Sequence, residues 1–204
     1  MIPGVIASMQ PAAGGGLSLL VDDYFVGTNS ALSAHTPDVD VVGGGWLGYE
    51  ESAHSCAFAG FVYRGSGSNR NNGPIIDAGV ADGEIILTLE TVSSDVSYRG
   101  ASFRNTSTTS AAASNLARAN NTAFQLYEGA TLRASLTGQS YDSAGAEHNM
   151  VVTFDGAAVT ATLSGTELSY GSFATNLTTT THGFLLRDAY GGFHDAAHRM
   201  QIWG

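Results

Sequence analysis

The segment from residue 150 to residue 163 alternates apolar and polar side chains on both sides of an Asp155-Gly156 dipeptide. Such alternation is typical of strands with one buried face, and Asp-Gly favours the two-residue type I′ turn of a β-hairpin. A turn centred on this dipeptide predicts the cross-strand pairs Phe154–Ala157, Val152–Val159 and Met150–Ala161. Turn and alternation agree on this register, and they predict five side chains that face the core: Met150, Val152, Phe154, Val159 and Leu163.

Short apolar runs separated by Gly, Asn, Asp and Ser continue along most of the chain. This spacing is typical of a β-sandwich or barrel, and 204 residues suffice for one large sandwich. The clearest single strand spans 84–92, where Ile85, Leu87 and Leu89 share one face. Further strands are predicted at 17–21, 57–63, 97–104, 123–128, 131–136, 183–187 and 198–203, and one short helical turn at 114–120.

The charge of the chain argues against two classes of partner. There are 8 basic residues, all arginine, against 18 acidic residues, and the formal net charge is −10. Nucleic acids and anionic membranes attract a positive field, so we expect neither as a partner. No apolar run approaches the roughly 20 residues that span a bilayer. Cys56 is the only cysteine, which rules out a disulfide within the chain.

Residues 1–16 differ in pattern from the rest of the sequence. They are largely apolar, follow neither a helix nor a strand period, and end in three consecutive glycines. The segment lacks the positive start of a signal peptide, and prolines interrupt it. We expect a flexible arm at 1–16 and one domain at 17–204. The arm should be dispensable for folding and should bind a partner surface, because its apolar side chains gain nothing in water.

Six short motifs follow one another in a distinctive order. They are 22–28 (DDYFVGT), 34–38 (AHTPD), 43–46 (GGGW), 77–83 (DAGVADG), 98–104 (YRGASFR) and 181–184 (THGF). In this order they resemble the concanavalin A-like (laminin-G-like) jelly-roll domains of bacteriophage structural proteins, over nearly the whole of 17–204. The opening 1–8 (MIPGVIAS) is similar to the start of phage minor virion proteins.

This resemblance implies an all-β fold, in which two antiparallel sheets pack as a jelly-roll sandwich with an extended N-terminal arm. It also implies a non-enzymatic structural protein of the phage virion, such as a capsid decoration, fibre or tail-associated domain. The partners would be other virion proteins, bound through the arm, and further copies of the chain in a homo-oligomer. The alternative is a lectin-like carbohydrate-binding module, and a domain on a particle could also adhere to a host-surface glycan.

Catalytic patterns are missing from the sequence. Some jelly rolls of this kind are glucanases, whose retaining mechanism needs two carboxylates about 5 Å apart, supplied from alternating strand positions. Glu50 and Glu51 are adjacent and would point to opposite faces of a strand. Cys56 has His54 nearby, as a reactive thiol would, but a half-buried structural cysteine is the favoured interpretation. We therefore expect no catalytic residues and no hydrolysis of β-glucans.

Two metal hypotheses arise from residue spacing. His194 and His198 are four apart, as zinc ligands on a helix would be, but Gly191 and Gly192 favour a polar loop there. Calcium is the better candidate, because the first and last strands of a jelly roll pair and would bring carboxylates together. The calcium candidates are Asp22, Asp23, Asp188 and Asp195. Solvated or turn-capping aspartates are the alternative, and a structural calcium ion would be the only cofactor.

Sugar binding needs exposed aromatic rings beside polar groups. Six aromatic residues lie near predicted loops and are candidates for this role: Trp46, Tyr49, Tyr141, Tyr170, Tyr190 and Phe193. Positions in the core or at a sheet edge are the alternative for most of them.

Overall fold

The structure, a computed structural model, describes residues 16–27, 31–47, 56–58, 62–64, 73–91, 98–106, 114–138, 146–187 and 195–204. The predicted arm at 1–16 lies outside the described residues except for Gly16. Within the described ranges every regular element is a strand, apart from one 3-10 turn at Leu32–Ala34. These ranges contain no helix long and apolar enough to cross a membrane.

The strands alternate with short turns along the chain. They are β1 (Leu19–Asp23), β2 (Val39–Asp40), β3 (Cys56–Phe58), β4 (Val62–Arg64), β5 (Ile75–Asp77), β6 (Gly83–Thr91), β7 (Tyr98–Phe103), β8 (Asn115–Ala119), β9 (Ala123–Glu128), β10 (Thr131–Thr137), β11 (Ala146–Asp155), β12 (Ala158–Leu163), β13 (Thr166–Tyr170), β14 (Thr181–Arg187) and β15 (Asp195–Trp203).

These strands form two antiparallel sheets. Sheet A has the order β13-β12-β11-β6-β15-β1-β2, and β4 also pairs with β15 while β3 pairs with β4. Sheet B has the order β10-β9-β8-β7-β14-β5. Neighbouring strands in a sheet are often far apart in sequence. For example, β15 lies between β1 and β6 and pairs with both, and β14 lies between β5 and β7 in the same way. The fold is an all-β, two-sheet jelly-roll sandwich, as the sequence predicted.

The core lies between the two sheets, where strand alternation directs the apolar side chains. Ile85, Leu87 and Leu89 of β6 are fully buried, which confirms the face predicted for 84–92. Phe103 of β7 stacks on Phe154 of β11 with 5.5 Å between ring centroids, and this contact joins sheet B to sheet A. Aromatic pairs of this kind add stability beyond the area that they bury.

The 150–163 hairpin forms, but its predicted register is wrong by two residues. The observed cross-strand pairs are Met150–Leu163, Val152–Ala161, Phe154–Val159 and Asp155–Ala158. The turn is therefore centred on Gly156 and Ala157, and only Gly156 has a positive φ, at 51°. Glycine at the first central position is the preference of a type II′ turn, not of the predicted type I′ turn. A shift of two residues preserves the face of every strand residue, so the five predicted core side chains are all buried.

Two other sequence predictions are wrong. Residues 114–120 contain strand β8, in the interior of sheet B, instead of a helical turn. Their Leu, Ala and Arg favour helix in isolation, but every residue of β8 is buried, and tertiary packing decides. The strand predicted at 57–63 is two short strands, β3 and β4, that pair with each other. Strands β2, β5 and β13 have no counterpart among the predicted strands.

Candidate functional site

One face of sheet B packs on the core, and the other is turned away from sheet A. On β7, β8 and β9 the core side carries Ala101, Ala117 and Leu126, which are fully buried. Side chains at alternate positions point to the opposite face. Four of these outward side chains form the group that we name the Tyr–Arg face: Tyr98, Arg118, Gln125 and Tyr127.

The strand register explains how the Tyr–Arg face assembles. Arg118 on β8 lies opposite Gly100 on β7 and opposite Gln125 on β9. Tyr98 precedes Gly100 by two residues and Tyr127 follows Gln125 by two, so one ring approaches Arg118 along each diagonal. Gly100 is required at its position, because a Cβ there would lie 2.0 Å from a carbonyl oxygen of β8.

The guanidinium group of Arg118 lies between the two tyrosine rings. Its central carbon is 4.1 Å from the ring centroid of Tyr98 and 4.1 Å from that of Tyr127. Arg118 Nε donates a hydrogen bond to Gln125 Oε1 at 3.3 Å. Two cation–π contacts and one hydrogen bond from a charged donor therefore orient a single side chain. The other three members of the face are half-buried and reach solvent.

Glu128 follows Tyr127 in β9 and is buried on the opposite side of the strand, the core side. Its Oε1 accepts hydrogen bonds from the backbone N–H groups of Ala174 and Thr175, and its Oε2 accepts one from Arg133 Nε. Burial raises the pKa of the Glu128 carboxyl, but these hydrogen bonds outweigh burial and bring the pKa below its ordinary value. The ionised carboxylate thus ties the loop after β13 to β9 and β10.

The opening sequence motifs meet in a second polar cluster, around Asp23 on β1. The carboxylate is fully buried and accepts hydrogen bonds from Trp46 Nε1 and from the backbone N–H of Phe25, each at 2.6 Å. His35 Nε2 lies 2.8 Å from the same carboxylate. Burial raises the pKa of Asp23, although the bonds from Trp46, His35 and Phe25 oppose the rise. One carboxylate therefore connects the motifs at 22–28, 34–38 and 43–46.

Asp22, the neighbour of Asp23, is also engaged by protein donors. Arg199 Nε and Nη2 donate to its two oxygens at 2.9 and 2.8 Å, which is a bidentate ion pair. The ring of Tyr24 covers this guanidinium, with 4.1 Å between the guanidinium carbon and the ring centroid. Both calcium candidates on β1 thus have their oxygens turned to other residues.

The other calcium candidates lie elsewhere in the chain. Asp195 pairs with Thr91, whereas Asp22 pairs with Gln201, six positions further along β15. At about 3.3 Å per residue these two aspartates are roughly 20 Å apart along the strand. Asp188 lies outside the described residues. In the part of the chain that the structure describes, no group of three or more His, Cys, Asp or Glu side chains could hold a metal ion. Calcium binding stays a prediction.

The aromatic residues predicted for sugar binding lie away from the Tyr–Arg face or outside the described residues. Trp46 is buried against Phe25 and Phe184, with centroid distances of 5.8 and 5.4 Å. Tyr170 packs edge-on against Phe173 at 5.5 Å. Outside the described residues lie Tyr49, Tyr141, Tyr190 and Phe193.

Residues considered for catalysis or zinc binding are also only partly described. Outside the described residues lie Glu50, Glu51, His54 and His194. Cys56 begins β3. His198 lies on β15, with its Nε2 atom 2.6 Å from Glu90 Oε2.

The sequence contained a signal for part of the Tyr–Arg face. In the predicted strand 123–128, Tyr127 alternates with the apolar Phe124 and Leu126, which marks it as an outward aromatic residue. Tyr98 has the same relation to Ala101 in the strand predicted at 97–104. Arg118 could not be found in this way, because the strand that carries it was not predicted.

No protein-family model matches the chain, and no curated protein matches its sequence. Solved structures match its fold. The catalytic domain of an endo-1,3-β-glucanase (laminarinase) from Thermotoga petrophila RKU-1 has a TM-score of 0.57 at 7% identity, covering 93% of this chain and 98% of that one. The CBM2 module of the evolved Dit of Lactobacillus casei BL23 phage J-1 has a TM-score of 0.47 at 12% identity, covering 92% and 95%. An endo-β-galactosidase from Clostridium perfringens that releases GlcNAcα1-4Gal has a TM-score of 0.49 at 10% identity, covering 95% and 63%.

These likenesses show the fold. The jelly-roll part of the resemblance found in the sequence is confirmed, and the chain shares its fold with the laminarinase catalytic domain. The phage part of the resemblance stays a prediction. Similarity at 7% identity extends to the arrangement of the strands and not to a ligand or an activity.

The prediction that the chain is not an enzyme requires correction. A catalytic domain, that of the laminarinase, has the same fold over 98% of its length. The jelly roll therefore does not separate binding domains from enzymes. Neither the fold nor the missing motifs exclude catalysis by this chain. The adjacent Glu50 and Glu51, on which part of the exclusion rested, lie outside the described residues.

Proposed function

We propose that this domain binds carbohydrate through the Tyr–Arg face of sheet B. The observation that carries the proposal is the position of the Arg118 guanidinium, 4.1 Å from each of two tyrosine ring centroids on an outward sheet face. The jelly-roll fold is compatible with such a function, but the proposal rests on these side chains and not on the fold.

The chemistry of the face suits a sugar ring. A pyranose has apolar C–H faces, which pack on aromatic rings, and a rim of hydroxyl groups, which donate and accept hydrogen bonds. Tyr98 and Tyr127 supply half-buried rings with polar tips. Gln125 supplies an amide with both donors and an acceptor. Arg118 is itself buried, so its part is to hold the two rings and the amide in place.

The face is also organised before any ligand arrives. Its members are on adjacent strands β7, β8 and β9, whose backbone pairing fixes the spacing of the side chains. Ordering an arginine or glutamine side chain on binding costs about 0.5–1.5 kcal/mol each. Because Arg118 and Gln125 already contact one another, much of this cost has been met during folding.

The chain offers a matched control for a test of this proposal. Tyr24 covers the guanidinium of Arg199 at the same 4.1 Å distance, but on sheet A. Tyr127→Ala, Tyr98→Ala and Tyr24→Ala each remove one tyrosine–arginine contact, so a general effect of that loss on stability appears in all three. Tyr127→Phe retains the ring and removes only the hydroxyl.

The experiment has two stages. An array of bacterial, algal and plant polysaccharides first identifies a bound glycan, and calorimetry with an oligosaccharide from it then measures Kd. We expect Tyr127→Ala and Tyr98→Ala to weaken binding by about tenfold or more, which corresponds to about 1.4 kcal/mol per ring. Tyr24→Ala should bind like the parent protein. Absence of any bound glycan, or an equal loss in Tyr24→Ala, would contradict the proposal.

The virion role, the location in a phage particle and the attachment through the arm at 1–16 remain predictions from the sequence resemblance. They agree with glycan binding, since a domain carried on a particle can present a binding face to a host surface. Copurification of the chain with particles would support them, and its absence from purified particles would contradict them.

A further inference from the structure

The arginines of this chain are few, and the structure shows how most of them are engaged. The chain contains 8 arginines and no lysine. The side chains of five arginines are among the described residues: Arg99, Arg104, Arg118, Arg133 and Arg199. Uronic and sulfated sugars are anions, which proteins bind through charge-assisted hydrogen bonds from guanidinium or ammonium groups. The engagement of these arginines therefore bears on the charge of any glycan that the domain can bind.

Arg118, the arginine of the Tyr–Arg face, presents little of its own surface. It is 7% exposed, and its guanidinium carbon lies 4.1 Å from the ring centroids of both Tyr98 and Tyr127. Its Nε atom donates a hydrogen bond to Gln125 Oε1. A ligand on this face therefore contacts mainly the two rings and the amide.

The other four arginines are buried or paired with carboxylates. Arg99 and Arg104 lie in the interior, where they are 2% and 0% exposed. The remaining two form ion pairs: Arg133 with Glu128, and Arg199 with Asp22. In the part of the chain that the structure describes, no arginine therefore combines an exposed guanidinium with the lack of a carboxylate partner.

The half-buried members of the Tyr–Arg face carry uncharged polar groups. These groups are the hydroxyls of Tyr98 and Tyr127 and the carboxamide of Gln125. Because Gln125 Oε1 already accepts from Arg118, the NH₂ group of this amide is the part that can donate to a ligand. Hydroxyl groups of a neutral sugar can exchange hydrogen bonds with such partners. A carboxylate or sulfate in the same place would lose hydration without gaining a cationic partner, which is costly.

The charge of the whole chain acts in the same direction. There are 18 acidic residues against 8 basic residues, and the formal net charge is −10. An anionic polysaccharide that approaches such a domain is repelled over roughly 8–10 Å at moderate salt. The local groups and the overall field thus both disfavour anionic glycans.

We propose that the Tyr–Arg face selects uncharged glycans and discriminates against uronic and sulfated ones. This inference rests on the proposed function and narrows the ligand to one chemical class. Specificity is a difference between two affinities, and here the difference arises because an anionic ligand finds no accessible cation on the face.

Polysaccharides that share a backbone and differ in charge test the proposal. Two such pairs are laminarin with sulfated laminarin, and polygalacturonate with its carboxyl-reduced form. Any other polysaccharide bound on the array is sulfated or carboxyl-reduced to give a further pair. Calorimetry measures Kd for both members of each pair at low and at high salt, with the parent protein and with Tyr127→Ala.

Two lysine substitutions separate the effect of the face from that of net charge. Gln125→Lys places a cation between the two tyrosine strands of the face. Ser169→Lys makes the same change of charge at an exposed position on β13 in sheet A, so it is the matched control. Circular dichroism and the thermal midpoint establish that both variants fold.

We expect each polysaccharide that binds through Tyr127 to be uncharged, with a Kd about tenfold or more below that of its charged form. Because no ion pair forms with the ligand, this Kd should change by less than about twofold between low and high salt. Gln125→Lys should reduce the difference between the two forms, and Ser169→Lys should leave it unchanged.

Three results would overturn the inference. Charged forms that bind as tightly as neutral forms, with a loss in Tyr127→Ala, would overturn it and leave the proposed function standing. An equal effect of the two lysine substitutions would assign the selectivity to net charge and not to the face. Absence of any bound polysaccharide would overturn both this inference and the proposed function.

Discussion

Asp82 Oδ1 lies 2.6 Å from Arg104 Nη2 and also accepts a hydrogen bond from Gly156 N at 3.0 Å. Arg104 is fully buried, and its guanidinium lies 5.4 Å from the ring centroid of Phe154 in the opposite sheet. One carboxylate at the rim of the sandwich thus neutralises a buried cation and fixes the turn of the central hairpin.

Asp82→Ala should destabilise the protein by about 2–4 kcal/mol, because it leaves a buried guanidinium without its charged partner. Urea unfolding at pH 7 measures the change in free energy of unfolding. Asp155→Ala, in the same hairpin but exposed, is the control and should cost under about 0.5 kcal/mol. Equal losses in both variants would assign the effect to the turn and not to the ion pair.

Phe154→Ala should cost about 3–5 kcal/mol, as truncation of a buried phenylalanine does. Phe154 contacts Phe103 and His182 across the sandwich, so the cavity would open between the sheets. Val151→Ala on the other face of the same strand should cost much less. Chemical denaturation of both variants checks the difference, and a small effect at Phe154 would contradict the observed packing.

Trp46→Phe should destabilise the domain by about 1–3 kcal/mol, since it removes one of the donors to the buried Asp23 carboxylate. Trp203→Phe is a matched control, because the indole N–H of Trp203 has no hydrogen-bond partner among the described residues. Differential scanning calorimetry compares the two variants. The hydrogen bond is worth little if both substitutions lower the Tm equally.

Stability should fall as the pH falls from about 6.5 towards 4, with a contribution from His182. This ring is fully buried, donates from Nε2 to Val80 O at 2.8 Å and accepts at Nδ1 from Arg104 N at 3.2 Å. Burial, together with the nearby Arg104 charge, lowers the pKa of His182 to about 4, although the hydrogen bond to Val80 opposes the shift.

The unfolded state therefore takes up a proton near pH 6.5 and the folded state only near pH 4, so acid favours unfolding by up to about 3 kcal/mol. Unfolding free energies at pH 7.5 and pH 4.5 measure the effect. His182→Gln should be less stable at neutral pH and less sensitive to this change of pH. A pH dependence identical in the variant would exclude His182 as its source.

The sequence predicted the layers of this fold better than their connections. The faces of β6, β11 and β12 followed from alternation, which depends only on the two-residue period of a strand. The hairpin register did not follow, because Asp-Gly can occupy more than one position in a turn and the choice depends on Gly156 and its contact with Asp82. Strand β8 was missed because its local preference is helical, and only burial on both faces makes it a strand.

The candidate site was predictable only in part, because local alternation gives the face of each residue but not which strands lie side by side. Tyr127 and Tyr98 occupy outward positions of strands that alternation identifies. Their relation to Arg118 depends on β7, β8 and β9 lying side by side in a fixed register, which no local pattern encodes. The motif residues Asp23, His35 and Trp46 were noticed in the sequence, and their hydrogen bonds to one another give them a structural role.

The bonds between Ser18 and Gly204 also determine how the sandwich resists a mechanical load. These two residues are hydrogen-bonded neighbours at the paired ends of β1 and β15. Tension applied between them therefore acts perpendicular to the strands and breaks the hydrogen bonds between β1 and β15 one after another. A load in this direction meets one hydrogen bond at a time instead of the whole ladder. The domain is therefore expected to yield to small forces along this axis even where its resistance to heat or denaturant is high.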